Sequence, residues 1–249
     1  MISAAFTTDD GHNHYSGMAN CIFRMAAVIS LALDHDDKYE FPRWRYAKHF
    51  PKLDGAWRDS YSKDDYEKVV TEGAFAFSKL PYVPNARYSG YFQSEKYFRH
   101  NLAEIQRLFK LSGRTVDACG VHVRRGDYLK VPHVLPVLPI EYYESAVERA
   151  VRHWDVKRFV VCTDDAAWVR SHFLPRFQSY RMELSPQRGD IHDFVALTEC
   201  RSLITANSTF SVMAGILADH GRCISPCGWF NPDAGLESRD IVPEGWITI

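Results

Sequence analysis

The feature that most constrains this chain is a succession of short apolar runs in its second half, "ACGVHV", "RFVVCT", "SLIT" and "RCISP". Each is separated from the next by a helical stretch, and no hairpin turn joins them. Runs of that kind specify parallel strands covered by helices on both faces. "ACGVHV" at 118–123 is the first strand of this half. A loop with Pro132, Pro136 and Pro139 follows, then a helix from about Ile140 with Tyr143, Val147, Ala150, Val151 and Trp154 on one stripe. "RFVVCT" reads as a buried strand and "DDAAWVRSHF" as the helix behind it. "FVALTECRSLITANSTFSVMAGILADHG" gives helix, strand, polar turn and helix, and "RCISP" a last strand. At the other end, "MISAAF" reads as a strand, Thr7 to Gly17 as a polar turn, and 18–33 as a helix packing Met18, Ile22, Met25, Ile29 and Leu33 against a sheet. Residues 34–95 read as irregular, and 97–112 as a helix with Phe98, Leu102, Ile105 and Leu108 or Phe109 in step.

Charge narrows the partners. Thirty basic residues against thirty-one acidic ones leave a formal charge of -1, so no global positive field draws the chain to nucleic acid or to an anionic membrane. Any anion must be held locally. The apolar segment 18–33 is interrupted by Arg24 and is too short to span a bilayer, and the residues before it lack the basic start of a signal peptide. Six scattered cysteines suit buried reduced thiols, and the spacing of Cys223 and Cys227 fits neither a redox pair nor half a zinc site. His12 and His14 beside Asp9 and Asp10 read as a solvated turn rather than a metal site, so no metal is expected. Walker loops, dinucleotide fingerprints and serine-nucleophile elbows are absent from the sequence.

In a parallel sheet, ligands bind beyond the carboxyl ends of the strands, which gathers "HVRRGDY", "CTDD" and "ANSTFS" along one crevice. Strand alternation places Val121 and Val123 on one face, His122 and Arg124 on the other. Two adjacent arginines opposite a Ser/Thr cluster that opens a helix supply guanidinium forks, hydroxyls and free N–H groups, which are what a pyrophosphate requires. A purely structural alternative pairs Arg124 or Arg125 with Asp127 or Asp164 to hold the loop. Asp190 is expected to cap the following helix and Asp193 to lie in its first turn. There Asp193 either complements the helix dipole or accepts the N–H groups of a guanine.

These stretches carry a resemblance. "GVHVRRGDYL", "GMANCIFRMAA", "GYFQSEKYF" and "SLITANSTFSVMAGIL", with "CTDDAAW" and the closing "CGWFNP", are similar in kind and order to the elements of the α1,2-fucosyltransferases. The resemblance implies an α/β fold of GT-B type, two facing Rossmann-like domains with parallel sheets. The first, 1–112, would lie on the acceptor side, and the second, 113–249, would bind GDP-fucose. It further implies transfer of L-fucose from GDP-β-L-fucose to the 2-hydroxyl of a galactose in a glycan acceptor, with inversion and without metal or cofactor. In family terms Arg124 grips the diphosphate, Arg125 supports it, His122 lies beside the nucleotide and Asp193 reads guanine. Asn207, Ser208, Thr209, Phe210 and Ser211 line the base and β-phosphate, and Gly17 and Asn20 in the opening loop border the fucose. The base for the acceptor hydroxyl is Asp127 by motif position or His133 by nearness and an imidazole suited to neutral pH. The opening loop departs from the family pattern, "SGMANC" standing where a glycine-rich run ends in Asn-Gln. Two other readings stay open, a transferase for another GDP-sugar or linkage and a nucleotide- or glycan-binding relative without turnover. A complete chain would be a cytoplasmic enzyme of bacterial or viral type, a trimmed one a domain from the Golgi lumen.

Overall fold

The computed structural model describes residues 1–6, 17–59, 65–73, 75–186, 188–219 and 221–249. The turn at 7–16, with Asp9, Asp10, His12 and His14, lies outside the described residues. The chain divides into two compact units. One is Met1–Leu111 with Arg239–Ile241, and the other is Ser112–Ser238 with Val242–Ile249. The return of 239–241 to the first unit is a detail that the sequence pattern does not carry. Its cause is local: Asp240 accepts the Phe77 N–H at 2.9 Å and pairs with Lys96 at 2.5 Å, and Ile241 is fully buried.

The first unit is built on β1 (Ile2–Ala4), α1 (Met18–Asp34), β2 (Tyr39–Pro42), β3 (Trp57–Arg58), β4 (Lys68–Thr71), β5 (Ala86–Ser89) and α2 (Leu102–Phe109). Its five strands are all parallel, in the order β3-β2-β1-β5-β4. Four of them fall in the stretch 34–95 that reads as irregular. Strands of two to four residues are too short to show a period, and β4 is largely exposed. Helix α1 runs where expected and buries Met18, Ile22, Met25 and Ile29 of the expected stripe, but not its last member. Leu33 is 43% exposed, whereas Arg24 is buried, donating to the Ala5 carbonyl at 3.2 Å and lying 4.9 Å from the Tyr91 ring. The helix expected over 97–112 is shorter, preceded by two 3-10 turns at Glu95–Tyr97 and Arg99–Asn101.

The second unit comprises β6 (Val116–Val123), α3 (Ile140–Trp154), β7 (Phe159–Thr163), α4 (Ala166–Trp168), β8 (Met182–Leu184), α5 (Asp190–Glu199), β9 (Cys200–Ile204), α6 (Thr209–Ala218), β10 (Cys223–Ser225) and β11 (Ile247–Thr248). The sheet order is β11-β10-β9-β6-β7-β8, parallel throughout. Alternation along β6 explains why both faces are covered. Cys119, Val121 and Val123 pack with Tyr142, Tyr143, Ala146 and Val147 of α3, while a Cβ on Gly120 would stand 3.0 Å from Leu197 of α5. Two corrections belong here. "RCISP" is not the last strand, because β11 pairs beyond β10; and Asp190 is the first residue of α5 rather than its cap, which is Gly189 at φ 104, a backbone conformation glycine adopts without strain. The helix "DDAAWVRSHF" begins as α4, capped by Asp165 on the Trp168 N–H, and continues as a wider π turn at Val169–Phe173. Among the described residues all six cysteines are free thiols, and five are buried.

Candidate active site

Because every strand of the second sheet runs the same way, the ends of β6, β7, β8 and β9 share one edge. The strand order reverses between β6 and β9: β7 and β8 are added on one side of β6, β9 and β10 on the other. That switch point is where open parallel sheets form a crevice.

At the β6–β7 side the arginines meet aspartates. Val123 is paired with Thr163, so the next residues leave neighbouring strands side by side. Arg124 Nη1 lies 3.0 Å from Asp164 Oδ2, and its Nη2 lies 2.6 Å from Asp127 Oδ1. Arg125 Nε is 3.4 Å from Asp165, its N–H donates to Asp164 at 2.9 Å, and its guanidinium lies 3.8 Å over the Trp168 ring. The Arg124 guanidinium lies 5.3 Å from the Tyr128 ring, whose hydroxyl donates to the Asn207 carbonyl at 2.8 Å. Arg124 Nε is buried with no hydrogen-bond partner among the described residues. A donor left in that state costs about 1–3 kcal/mol and calls for an incoming acceptor.

On the β6–β9 side the groups are neutral and buried. His122 Nδ1 lies 3.0 Å from Ser211 Oγ, and its ring 5.3 Å from Phe210. Burial first, then the Arg124 charge, lowers its pKa to about 3, so the imidazole is neutral at physiological pH. Ser211 is fully buried; its oxygen accepts the Ala206 N–H at 3.2 Å, and its hydroxyl has the Ser208 carbonyl at 3.2 Å. Its chemistry therefore acts on His122 and on the turn that opens α6. Asn207 ties two loops together, its Nδ2 donating to the Pro136 and Trp229 carbonyls at 2.9 and 3.0 Å, while its Oδ1 is buried and has no partner among the described residues. Ser208 is the N-cap of α6 without a side-chain cap bond, and Thr209 and Phe210 are half-buried in the first turn.

Asp193 lies in the first turn of α5 and is 8% exposed. Ser185, at the end of β8, donates to its Oδ1 at 2.6 Å. Burial raises its pKa above the ordinary carboxylate value, with the Ser185 hydroxyl acting the other way.

His122, Arg124, Arg125, Asp127, Asp193 and Asn207 to Ser211 are thus brought to one sheet edge. His133 is exposed in the loop before α3. Gly17 and Asn20 belong to the first unit: Gly17 is the exposed N-cap of α1, and Asn20 Oδ1 accepts from Gln93 at 3.1 Å. Sequence reasoning gathered the stretches that hold Asp165 and Tyr128 but gave neither a role, and it passed over Trp168 and Ser185. A usable signal existed for one of them, since the doublet "DD" follows β7 as "RR" follows β6.

Comparison with known proteins decides the family. The sequence model of glycosyl transferase family 11 matches residues 48–249. The chain belongs to glycosyl transferase family 11. An alpha-1,2-colitosyltransferase of Escherichia coli is 24% identical over 237 residues, 84% of this chain and 76% of that protein. The galactoside 2-alpha-L-fucosyltransferase SEC1 of Bos taurus is 30% identical over 156 residues, 53% of this chain and 42% of that protein. The chain spans about half the length of several curated relatives it matches. The solved structure of E. coli heptosyltransferase WaaC with ADP is alike in fold alone, with a TM-score of 0.54 at 10% identity over 100% of this chain and 92% of that one. The fold class is the expected α/β, GT-B type, with a parallel sheet in each unit. No helix among the described residues of this family 11 chain is long and apolar enough to cross a membrane.

Proposed function

We propose that this family 11 chain is an inverting, metal-independent transferase that moves L-fucose from GDP-β-L-fucose to the 2-hydroxyl of a terminal galactose. The observation that carries the reading is the Arg124–Arg125 pair at the sheet's switch point, beside the uncapped start of α6. Inversion at an acetal carbon passes through an oxocarbenium-like state, so negative charge gathers on the departing diphosphate. Guanidinium groups that meet this charge bind the transition state more strongly than the ground state and take the place of a divalent metal. Arg124 is the grip on the diphosphate and Arg125, stacked on Trp168, its support. Asp193 accepts the N–H groups of the guanine. Neutral His122, with Asn207, Ser208, Thr209 and Phe210, borders the nucleotide, and Ser211 orients His122. By the family resemblance, Gly17 and Asn20 border the sugar. Asp127 or His133 removes the acceptor proton; the true base takes an ionisation out of the pH–rate profile when changed, in Asp127→Asn or His133→Ala.

A second sugar is favoured by one observation, the colitosyltransferase that matches 84% of this chain. Colitose is the 3-deoxy counterpart of L-fucose, and the same diphosphate and guanine contacts serve GDP-colitose. Presenting GDP-fucose, GDP-colitose and GDP-mannose with a β-galactoside, followed by linkage analysis of the product, tests both. An α1,2-fucosylated galactoside is expected; a product from GDP-colitose alone replaces the first reading by the second.

A further inference from the structure

The two carboxylates on Arg124 are unlike each other. Asp164 is fastened at both oxygens, Oδ2 to Arg124 Nη1 at 3.0 Å and Oδ1 to the Arg125 N–H at 2.9 Å. It fits there because residue 126 is glycine, since a Cβ at Gly126 would stand 2.6 Å from Asp164 Oδ2. Asp127 is a 62% exposed carboxylate on a short 3-10 turn, 2.6 Å from Nη2. Nε and Nη2 together form the side-on fork of a guanidinium, the edge that takes an oxyanion through two parallel bonds. In this structure Asp127 holds the Nη2 half of that fork, and the Nε half is buried without a partner among the described residues.

We infer that Asp164 is a positioning residue that fixes Arg124, and that Asp127 is a placeholder which a phosphate oxygen of the nucleotide sugar displaces. The inference rests on the reading of Arg124 as the diphosphate ligand. An ion pair with so exposed a carboxylate is weak enough to exchange, and Asp127 regains water when it leaves. A two-oxygen phosphate takes Nη2 and the unpartnered Nε together, while Asp164 keeps Nη1 and so the plane of the fork. The exchange has a consequence for the reaction. On the reading that makes Asp127 the base, it becomes free to accept the acceptor's proton only once the donor is seated.

Calorimetric titration of GDP and of inorganic pyrophosphate into the wild type and four variants tests this, with melting temperatures as the check on folding. Asp127→Asn removes the competing charge and should bind both anions about 2- to 5-fold more tightly, the range of an exposed ion pair. Tighter binding at an unchanged melting temperature is a result that simple damage to the loop does not produce, and a fall in kcat beside it marks Asp127 as the base as well. Asp164→Asn frees the guanidinium and should weaken both anions ~10-fold. Gly126→Ala drives Asp164 away without changing charge and should do the same. Asp127→Asn binding no more tightly than the wild type, or Asp164→Asn and Gly126→Ala binding no more weakly, overturns the inference. Arg124→Ala separates the two levels. If it binds GDP as the wild type does, the reading of Arg124 fails and the placeholder with it; if it loses GDP while Asp127→Asn gains nothing, only the placeholder fails.

Discussion

Two neighbouring stretches of one sheet edge solve the same problem in opposite ways. Where β6 meets β7, charge is set against charge: two arginines, three aspartates, and side chains partly open to water. Where β6 meets β9 and α5, the polar groups are buried and uncharged or pushed toward neutrality: His122 at a pKa of about 3, Asp193 with its pKa raised, Asn207 and Ser211 enclosed. The difference teaches what each stretch is able to bind. Open ion pairs exchange one anion for another at little cost, which suits a diphosphate whose charge grows during the reaction. Enclosed donors and acceptors discriminate by shape and by hydrogen bonds left unmade, which suits a base.

That division can be broken in order of effect. Arg124→Ala should lower kcat by ~10²–10³-fold, the scale for one preorganised donor lost from a transition state, measured as steady-state GDP release. Asp193→Asn should weaken GDP by about 5- to 150-fold, the equivalent of about 1–3 kcal/mol for an unmatched buried polar contact, and leave pyrophosphate binding unchanged. Equal losses for the two ligands would dissolve the distinction between the two stretches. His122, neutral when folded, takes a proton on unfolding once the pH is below about 6.5. Its stabilising effect is therefore present above that pH and lost as pH falls toward about 3, at up to about 1.4 kcal/mol per pH unit. Asp193, with its pKa raised, acts in the opposite sense, favouring the fold below its unfolded value of about 3.8 and losing that effect as pH rises. Denaturant midpoints of His122→Gln across pH 3–7 should accordingly show a shallower acid limb than the wild type. The smallest effect is at Trp168→Ala, which removes the face under Arg125 and should cost about 0.5–2 kcal/mol of stability with GDP affinity only mildly reduced.

The legible and the illegible parts of the chain differ for a physical reason. The second sheet could be read because β6, β7 and β9 are five to eight residues long and buried on both faces, so apolar runs mark them. The first sheet could not, because β2, β3, β4 and β5 are two to four residues long and their order is fixed by contacts distant in sequence. The same holds within the site. The arginines, His122 and the α6 turn are visible as a local pattern, and alternation along β6 assigns Val121 and Val123 to one face. The partners of the arginines are not local: Asp164 and Asp165 meet them only because β7 lies in register beside β6, and Ser185 reaches Asp193 from the end of an edge strand three residues long. Asp190 misled because an acidic residue before a helix suggests a cap, whereas the positive φ of Gly189 starts α5 one residue earlier.

The measurement that bears most directly on the central claim is release of GDP from GDP-fucose, in EDTA, with and without a β-galactoside, for the wild type and Arg124→Ala. Acceptor-stimulated release that persists in EDTA and disappears in the variant is the predicted result. Release that requires a divalent cation, or that Arg124→Ala supports as well as the wild type, would contradict a site in which guanidinium alone meets the departing diphosphate.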